Sequence, residues 1–414
     1  MSGIGILIVD DSVVVRRLLS RIIEEEPGLE VAGQAANGQL ALEMLDEADP
    51  DLVTLDVEMP VMDGLATLAE LRRRRPRLPV IMFSTLTSRG AATTIEALSR
   101  GASDYLTKPE GAANLQESLE RLRLELVPRV RALSRVRPAQ ERPLKGVAQN
   151  GLLRSGLAVP RLRSSIPQRE ASPIPHVTIP LARGYEPARH PLHPNAPAPT
   201  PQASSVPRYL SRPAELVVIG VSTGGPNALA RILPMFPATL SVPVLIVQHM
   251  PPLFTRMLAD RLDQLSPLKV REAQNGAALR PGEAWLAQGD WHMAVAREGG
   301  RLVLRENQGP QENSCRPAVD VLFNSAVQAC GGAVLAIVLT GMGQDGMKGA
   351  RAIREAGGLV LAQDEESSVV WGMPGAVATA GLADAVLTLD GLVPQALHML
   401  ATVRPTGGRS STCR

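Results

Sequence analysis

Two sets of side chains in this sequence have the types and spacing that chemistry requires. The first is dominated by carboxylates. Asp10 and Asp11 follow the apolar run Ile4–Val9, Asp56 ends the run 52–56, Ser84 ends the run 79–84, and Lys108-Pro109 follows the run 103–107. Two or three carboxylates hold Mg²⁺ through hard oxygen ligands. A nucleophilic aspartate can then accept a phosphoryl group, while a hydroxyl and a lysine neutralise charge on its oxygens. Any one strand-end Asp, Ser or Lys is commonly no more than a cap. Five of them at successive strand ends read as a phosphoryl-transfer site.

The second set centres on Gly220-Val221-Ser222-Thr223-Gly224-Gly225, between a buried run and a helical pattern. It fits the G-x-S-x-G spacing, in which a tight strand-to-helix turn exposes the serine hydroxyl. The helix start offers backbone N–H groups to an oxyanion. A glycine-rich turn of this kind also serves as a phosphate cradle. The lack of an acidic residue near position 240 to take a ribose counts against a dinucleotide.

A serine nucleophile needs a base. Outside the span 137–213 the histidines are His249, His292 and His398. His249 follows the run 243–248 and is expected on the same sheet edge as Ser222. The run 334–339 leads to Gly341-Met342-Gly343-Gln344-Asp345-Gly346, whose glycines allow a close loop that brings Asp345 beside that edge. The reading is Ser222 as nucleophile, His249 as base and Asp345 as orienter, with Asp345 also a candidate helix N-cap. His292, in Gly289-Asp290-Trp291-His292-Met293, is the rival base and otherwise a residue of the substrate cleft. The usual α/β-hydrolase order of Ser, acid, His would instead call on His398.

The elements that must position these groups alternate along the chain. Strands are expected at 4–9, 30–35, 52–56, 79–84 and 103–107, with helices at 12–26, 38–47, 63–75, 88–100 and 112–134. In the first helix Val15, Leu18, Leu19 and Ile22 share one face while Arg16, Arg17 and Glu24 point out, and Pro27 ends it. Five β/α repeats predict a doubly wound parallel sheet, which collects functional groups at the carboxyl ends of its strands. The span 137–213 breaks the pattern. Residues 138–213 hold 15 of the 35 prolines, a composition that cannot bury enough apolar surface to offset chain entropy, so a disordered tether is expected. Alternation resumes with strands at 215–220, 243–248, 334–339 and 359–362 and helices at 224–235, 253–265, 317–330 and 346–356. Residues 269–305, with turns at Asn275-Gly276 and Gly299-Gly300, form an expected β-rich excursion. The division is therefore 1–136, an N-terminal doubly wound (βα)5 domain; 137–213, a proline-rich linker; 214–403, a Rossmann-like α/β domain with a mostly parallel sheet; and 404–414, a frayed tail.

Composition narrows the function classes. The net charge is +2, yet residues 137–212 carry eleven Lys and Arg against three Asp and Glu, so the parts expected to fold are acidic. That balance argues against nucleic-acid binding, and no helix-turn-helix pattern supports a DNA-binding regulator. Cys315, Cys330 and Cys413 have neither paired nor metal-like spacing. No secretory signal and no apolar run of about 20 residues is evident, so no membrane insertion and a cytoplasmic location are expected.

Residues 4–134 resemble the receiver domain of two-component response regulators. In that resemblance Asp56, in Leu-Asp-Val-Glu-Met-Pro, matches the phospho-acceptor; Asp10, Asp11, Asp56 and the Glu58 backbone match the Mg²⁺ site; Ser84, Lys108 and Tyr105 match the switch hydroxyl, the lysine and the switch aromatic. A histidine kinase is the implied phosphodonor. Residues 215–403 resemble the catalytic domain of chemotaxis protein-glutamate methylesterases, through Gly-Val-Ser-Thr-Gly-Gly, Gln248-His249-Met250, Arg316-Pro317 with Val319-Asp320, the Gly-Met-Gly-Gln-Asp-Gly loop and Trp371-Gly372-Met373-Pro374-Gly375. The resemblance implies hydrolysis of glutamate methyl esters on methyl-accepting chemoreceptors and deamidation of receptor glutamines, with Thr223 and Met342 at positions that hold the oxyanion. No cofactor is expected for that reaction. The linker departs from the pattern in being far longer than the family usually carries.

Overall fold

The computed structural model describes residues 3–108, 115–134 and 209–402. The tail 404–414, Cys413 and nearly all of the expected linker lie outside the described residues.

The first third folds as β1 (Ile4–Val9), α1 (Val13–Glu24), β2 (Leu29–Ala35), α2 (Gly38–Ala48), β3 (Leu52–Asp56), α3 (Gly64–Arg74), β4 (Val80–Ser84), α4 (Ser88–Ser99), β5 (Asp104–Thr107) and α5 (Leu115–Ser134). The strands pair in the order β2-β1-β3-β4-β5, all parallel. β3 and β4 are buried along their whole length, as strands covered by helices on both faces must be. Four helices begin on a side chain that accepts a backbone N–H: Ser12, Asn37, Asp63 and Thr87.

The second part runs β6 (Leu216–Val221), α6 (Gly225–Ile232), β7 (Val244–Gln248), α7 (Phe254–Leu265), β8 (Lys269–Glu272), β9 (Glu283–Leu286), β10 (His292–Glu298), β11 (Arg301–Asn307), α8 (Val319–Cys330), β12 (Val334–Val338), α9 (Met347–Glu355), β13 (Leu359–Gln363), α10 (Met373–Thr379), β14 (Ala385–Leu387) and α11 (Leu389–Ala401). Seven strands form one sheet in the order β14-β13-β12-β6-β7-β9-β8, with every pairing parallel. The expected excursion over 269–305 therefore divides. β8 and β9 extend the main sheet, because Ala284, Trp285 and Leu286 are buried; only β10 and β11 stand apart, as an antiparallel hairpin. Its two-residue turn, Gly299-Gly300, has φ of 53° and 81°, the pair of positive values a type I′ turn needs.

Candidate active site and phosphoryl site

Register alone brings the first two groups together. β6 and β7 pair with Val221 opposite Gln248, so the next residues, Ser222 and His249, leave the sheet side by side at its carboxyl edge. The Gln248 side-chain amide ties both exits, donating to the Ser222 carbonyl at 3.0 Å and the His249 carbonyl at 3.2 Å. On the other side of β6 lies β12, and the Ser222 N–H donates to the Thr340 carbonyl at 3.0 Å. β6 is thus where the strand order reverses direction, the crevice that open parallel sheets use for ligands. The turn is tight. Gly224 has φ 76°, and a Cβ there would lie 2.6 Å from Val369; one at Gly225 would lie 1.9 Å from Gln248 Oε1.

Asp345 arrives on the loop after β12 and makes five hydrogen bonds. Its Oδ2 accepts from His249 Nε2 at 2.8 Å and from the Val319 N–H at 2.7 Å. Its Oδ1 accepts from the Asp320 N–H at 3.0 Å, the Gly346 N–H at 2.9 Å and Asn313 Nδ2 at 2.9 Å. The carboxylate therefore sits at the start of α8, whose own N-cap residue, Ala318, provides no side-chain cap. Burial alone would raise the Asp345 pKa, but the bonds from His249 and the backbone hold it below the ordinary carboxylate value. For His249, burial opposes the charged ring, yet the bonds to Asp345 and Cys315 outweigh it and lift the pKa to about 9.

With Nε2 committed to Asp345, the nitrogen left for a serine proton is Nδ1. In this structure Nδ1 faces Cys315 Sγ at 3.7 Å; among the described residues no hydrogen bond joins it to Ser222. Thr223 is buried, and its carbonyl accepts from Thr340 Oγ1 at 2.9 Å. Met342 is half-buried on the loop between Gly341, which packs against Ser222, and Asp345.

His292, the rival base in the sequence, has its own partners. It opens β10 with only 2% exposure. Its Nδ1 accepts from the Ala318 N–H at 3.2 Å and its Nε2 reaches the Pro310 carbonyl at 2.9 Å. Both nitrogens are spent on fixing the segment 310–318, which leaves neither to act as a base. His398 lies on α11, the helix that follows β14.

In the first sheet, Asp10, Asp11 and Asp56 bring carboxylate oxygens within 4.8 Å of one another. Lys108 Nζ lies 2.9 Å from Asp10 Oδ2 and 2.7 Å from Asp56 Oδ2. The Glu58 N–H approaches Asp56 Oδ1 at 3.4 Å, and Ser84 is buried at the end of the neighbouring strand. Burial lifts the Asp56 pKa to about 6; Lys108 opposes that rise and the Asp10 charge adds to it. An all-oxygen donor set of this kind suits a hard divalent cation.

Comparison with known proteins decides the relationship. A chain from a Nocardioides species, named protein-glutamate methylesterase/protein-glutamine glutaminase, is 47% identical over 98% of this chain and 98% of its own length. A protein of the same name from Trichodesmium erythraeum is 42% identical over 97% of this chain and all of its own. The CheB methylesterase profile matches residues 217–396, and the response regulator receiver domain profile matches residues 6–120. This chain belongs to the CheB methylesterase family. Among solved structures, the Thermotoga maritima CheB methylesterase catalytic domain is 40% identical and covers 45% of this chain and 98% of its own, with a TM-score of 0.44. By its curated relatives and family matches, the chain is an enzyme of the protein-glutamate methylesterase and protein-glutamine glutaminase class, carrying a receiver domain at its N-terminal end. None of the described helices is long and apolar enough to cross a membrane.

The receiver packs on the methylesterase region through the face that carries Tyr105. Helix α4 contacts α6 and α7, Tyr105 stacks on Phe254 with ring centroids 4.9 Å apart, and Asn227 Nδ2 donates to the Ala102 carbonyl at 3.2 Å. Burial pushes Asp104 above the usual carboxylate range, and Arg129 at 3.0 Å and the nearby Thr223 side chain oppose that rise. Sequence reading missed two residues that bond to these groups: Thr340 and Asn313. A polar residue just beyond a buried strand would have flagged Thr340. Nothing local marks Asn313, whose partners are distant in sequence.

Proposed function

We propose that this chain is a phosphorylation-regulated serine hydrolase that demethylates glutamate methyl esters on methyl-accepting chemoreceptors and deamidates receptor glutamines in the cytoplasm. The observation that carries this reading is the pairing of Val221 with Gln248, which sets Ser222 beside His249, together with the 2.8 Å bond from His249 Nε2 to Asp345. In the proposed reaction Ser222 Oγ attacks the side-chain ester carbonyl and its proton passes to His249 Nδ1. Asp345 holds the ring and stabilises the imidazolium. Backbone donors near Thr223 and Met342 hold the oxyanion. The imidazolium then gives its proton to the leaving methoxide oxygen, releasing methanol, or to the leaving nitrogen of a glutamine, releasing ammonia, and water attacks the glutamyl-serine ester by the reverse sequence to release glutamate and restore Ser222.

In the receiver, Asp56 accepts a phosphoryl group from a histidine kinase. Asp10, Asp11, Asp56 and the Glu58 backbone would hold Mg²⁺, which shields phosphoryl charge when bound. Ser84 and Lys108 meet the phosphoryl oxygens, and Tyr105 carries the change to the packed face.

Methanol release from a methylated receptor fragment tests the proposed site. Ser222→Ala and His249→Ala should each lower turnover by at least about a thousandfold, and the double variant should fall little further, because the two act as a unit. Additive losses, or near-wild-type turnover by either folded variant, would refute the assignment.

A further inference from the structure

The segment before α8 turns back on itself where it meets the site. Asn313 and Ser314 take positive φ values of 52° and 60°, and Glu312 and Cys315 bridge across them. Asn tolerates this left-handed region better than most residues, because its short polar side chain bonds locally. The result is that one turn delivers two groups to the acid–base pair: Cys315 Sγ to His249 Nδ1, and Asn313 Nδ2 to Asp345 Oδ1.

The Asn313 amide does more than add one donor. The same Nδ2 also donates to Asp320 Oδ2 at 3.0 Å. Asp320 is 2% exposed, and its Oδ1 accepts from the Gly349 N–H at 2.7 Å. Two buried carboxylates, Asp345 and Asp320, thus face each other across a single amide. Without that shared donor, each would lose a partner and their charges would repel through an interior of low dielectric constant. The relief available to Asp345 is rotation or protonation, and either weakens its bond to His249.

We infer that Asn313 is a positioning residue for the reaction: by bridging Asp320 and Asp345 it fixes the carboxylate that orients His249. The inference rests on the catalytic reading of His249 for its effect on turnover, but not for its effect on the imidazole itself. The charged and titratable groups around the pair are few. His249 meets Asp345 from the loop after β12 and Cys315 from the turn before α8. Asp345 feels Asp320 on α8 and Lys348 on α9, and Lys348 is itself paired with Glu312 at 2.8 Å. Asn313 is the neutral member that lets the two carboxylates coexist.

Asn313→Gly is the informative variant, since glycine keeps the left-handed turn without strain and removes only the amide. Asn313→Asp keeps the size and turns the donor into a third carboxylate. Two readings are taken in the full chain: kcat and KM for ester hydrolysis, and the titration midpoint of His249 by NMR in the resting protein without substrate. Asn313→Gly is expected to lower kcat on the order of 10–100-fold, the scale of a small misplacement of a reacting group. KM should stay within about twofold and the His249 midpoint should move down toward 6.5. Asn313→Asp is expected to lose more activity than Asn313→Gly. An unmoved His249 midpoint, or unchanged kcat, in folded Asn313→Gly overturns the inference. His249→Ala in the same assay separates the two levels: retained turnover there refutes the catalytic reading, while the resting-state midpoint still decides whether Asn313 sets the geometry of the pair.

Discussion

A pKa of about 9 for His249 is an unusual resting state for a residue proposed as a base. At pH 7 roughly one ring in a hundred is neutral, so kcat/KM should climb with pH and level off near pH 9. Asp345→Asn should move that limb down by removing the charge that favours the imidazolium, and a pH–rate profile of both proteins reads it directly. Because the folded pKa lies above the ordinary 6.5, charged His249 stabilises the fold fully below pH 6.5. That contribution fades as pH rises toward 9. Activity should therefore grow over the range in which this part of the stability is lost, and thermal unfolding measured at pH 6 and pH 9, with His249→Gln as reference, checks it. At this scale the placement of Ser222 and His249 at one sheet edge could be read from sequence because each directly follows a strand, and the glycine-rich loop after β12 pointed to Asp345 beside them. Asn313 could not. Its contribution is one amide between two carboxylates, fixed by a backbone turn that no local pattern announces. His292, read as the rival base and otherwise as a cleft residue, has both ring nitrogens bonded to the segment 310–318, which nothing in its Gly-Asp-Trp context announces.

The elements explain why these residues meet. Parallel pairing puts the ends of β6, β7 and β12 on one edge, and tight glycines let the chain leave that edge without blocking it. Gly225→Ala should cost both stability and activity, because its Cβ would fall 1.9 Å from Gln248 Oε1 and dislodge the amide that ties Ser222 to His249. A lowered unfolding temperature together with lost turnover is the expected result. Asp345 also serves a helix other than its own, accepting the first N–H groups of α8. Asp345→Ala should therefore destabilise the protein by about 1–2 kcal/mol, as loss of an N-cap does, and denaturant unfolding measures that. The alternation of strand and helix was legible because apolar period changes at each boundary. The placement of β8 and β9 in the main sheet was not, since four-residue strands joined by a long connection carry no signal of their partner.

For the whole molecule, the docked face matters most. The receiver touches the methylesterase region through Ala102 and Tyr105, in the stretch that leads to Lys108 at the proposed phosphoryl site. Tyr105 is already buried here, against Phe254. Phosphorylation of Asp56 that draws Ser84 toward the phosphoryl group would disturb this packing, and only a difference in docking affinity between the two states can shift the balance. A small phosphodonor with Mg²⁺ should raise full-length activity, and Asp56→Asn should abolish the rise; initial rates of methanol release decide this. The most direct test of the central claim is mass spectrometry of a methylated receptor fragment incubated with the full-length chain. The account predicts conversion of glutamyl methyl esters to glutamates by the wild-type protein and none above background by Ser222→Ala. Esters left intact by the wild type, or hydrolysed as fast by Ser222→Ala, would contradict it.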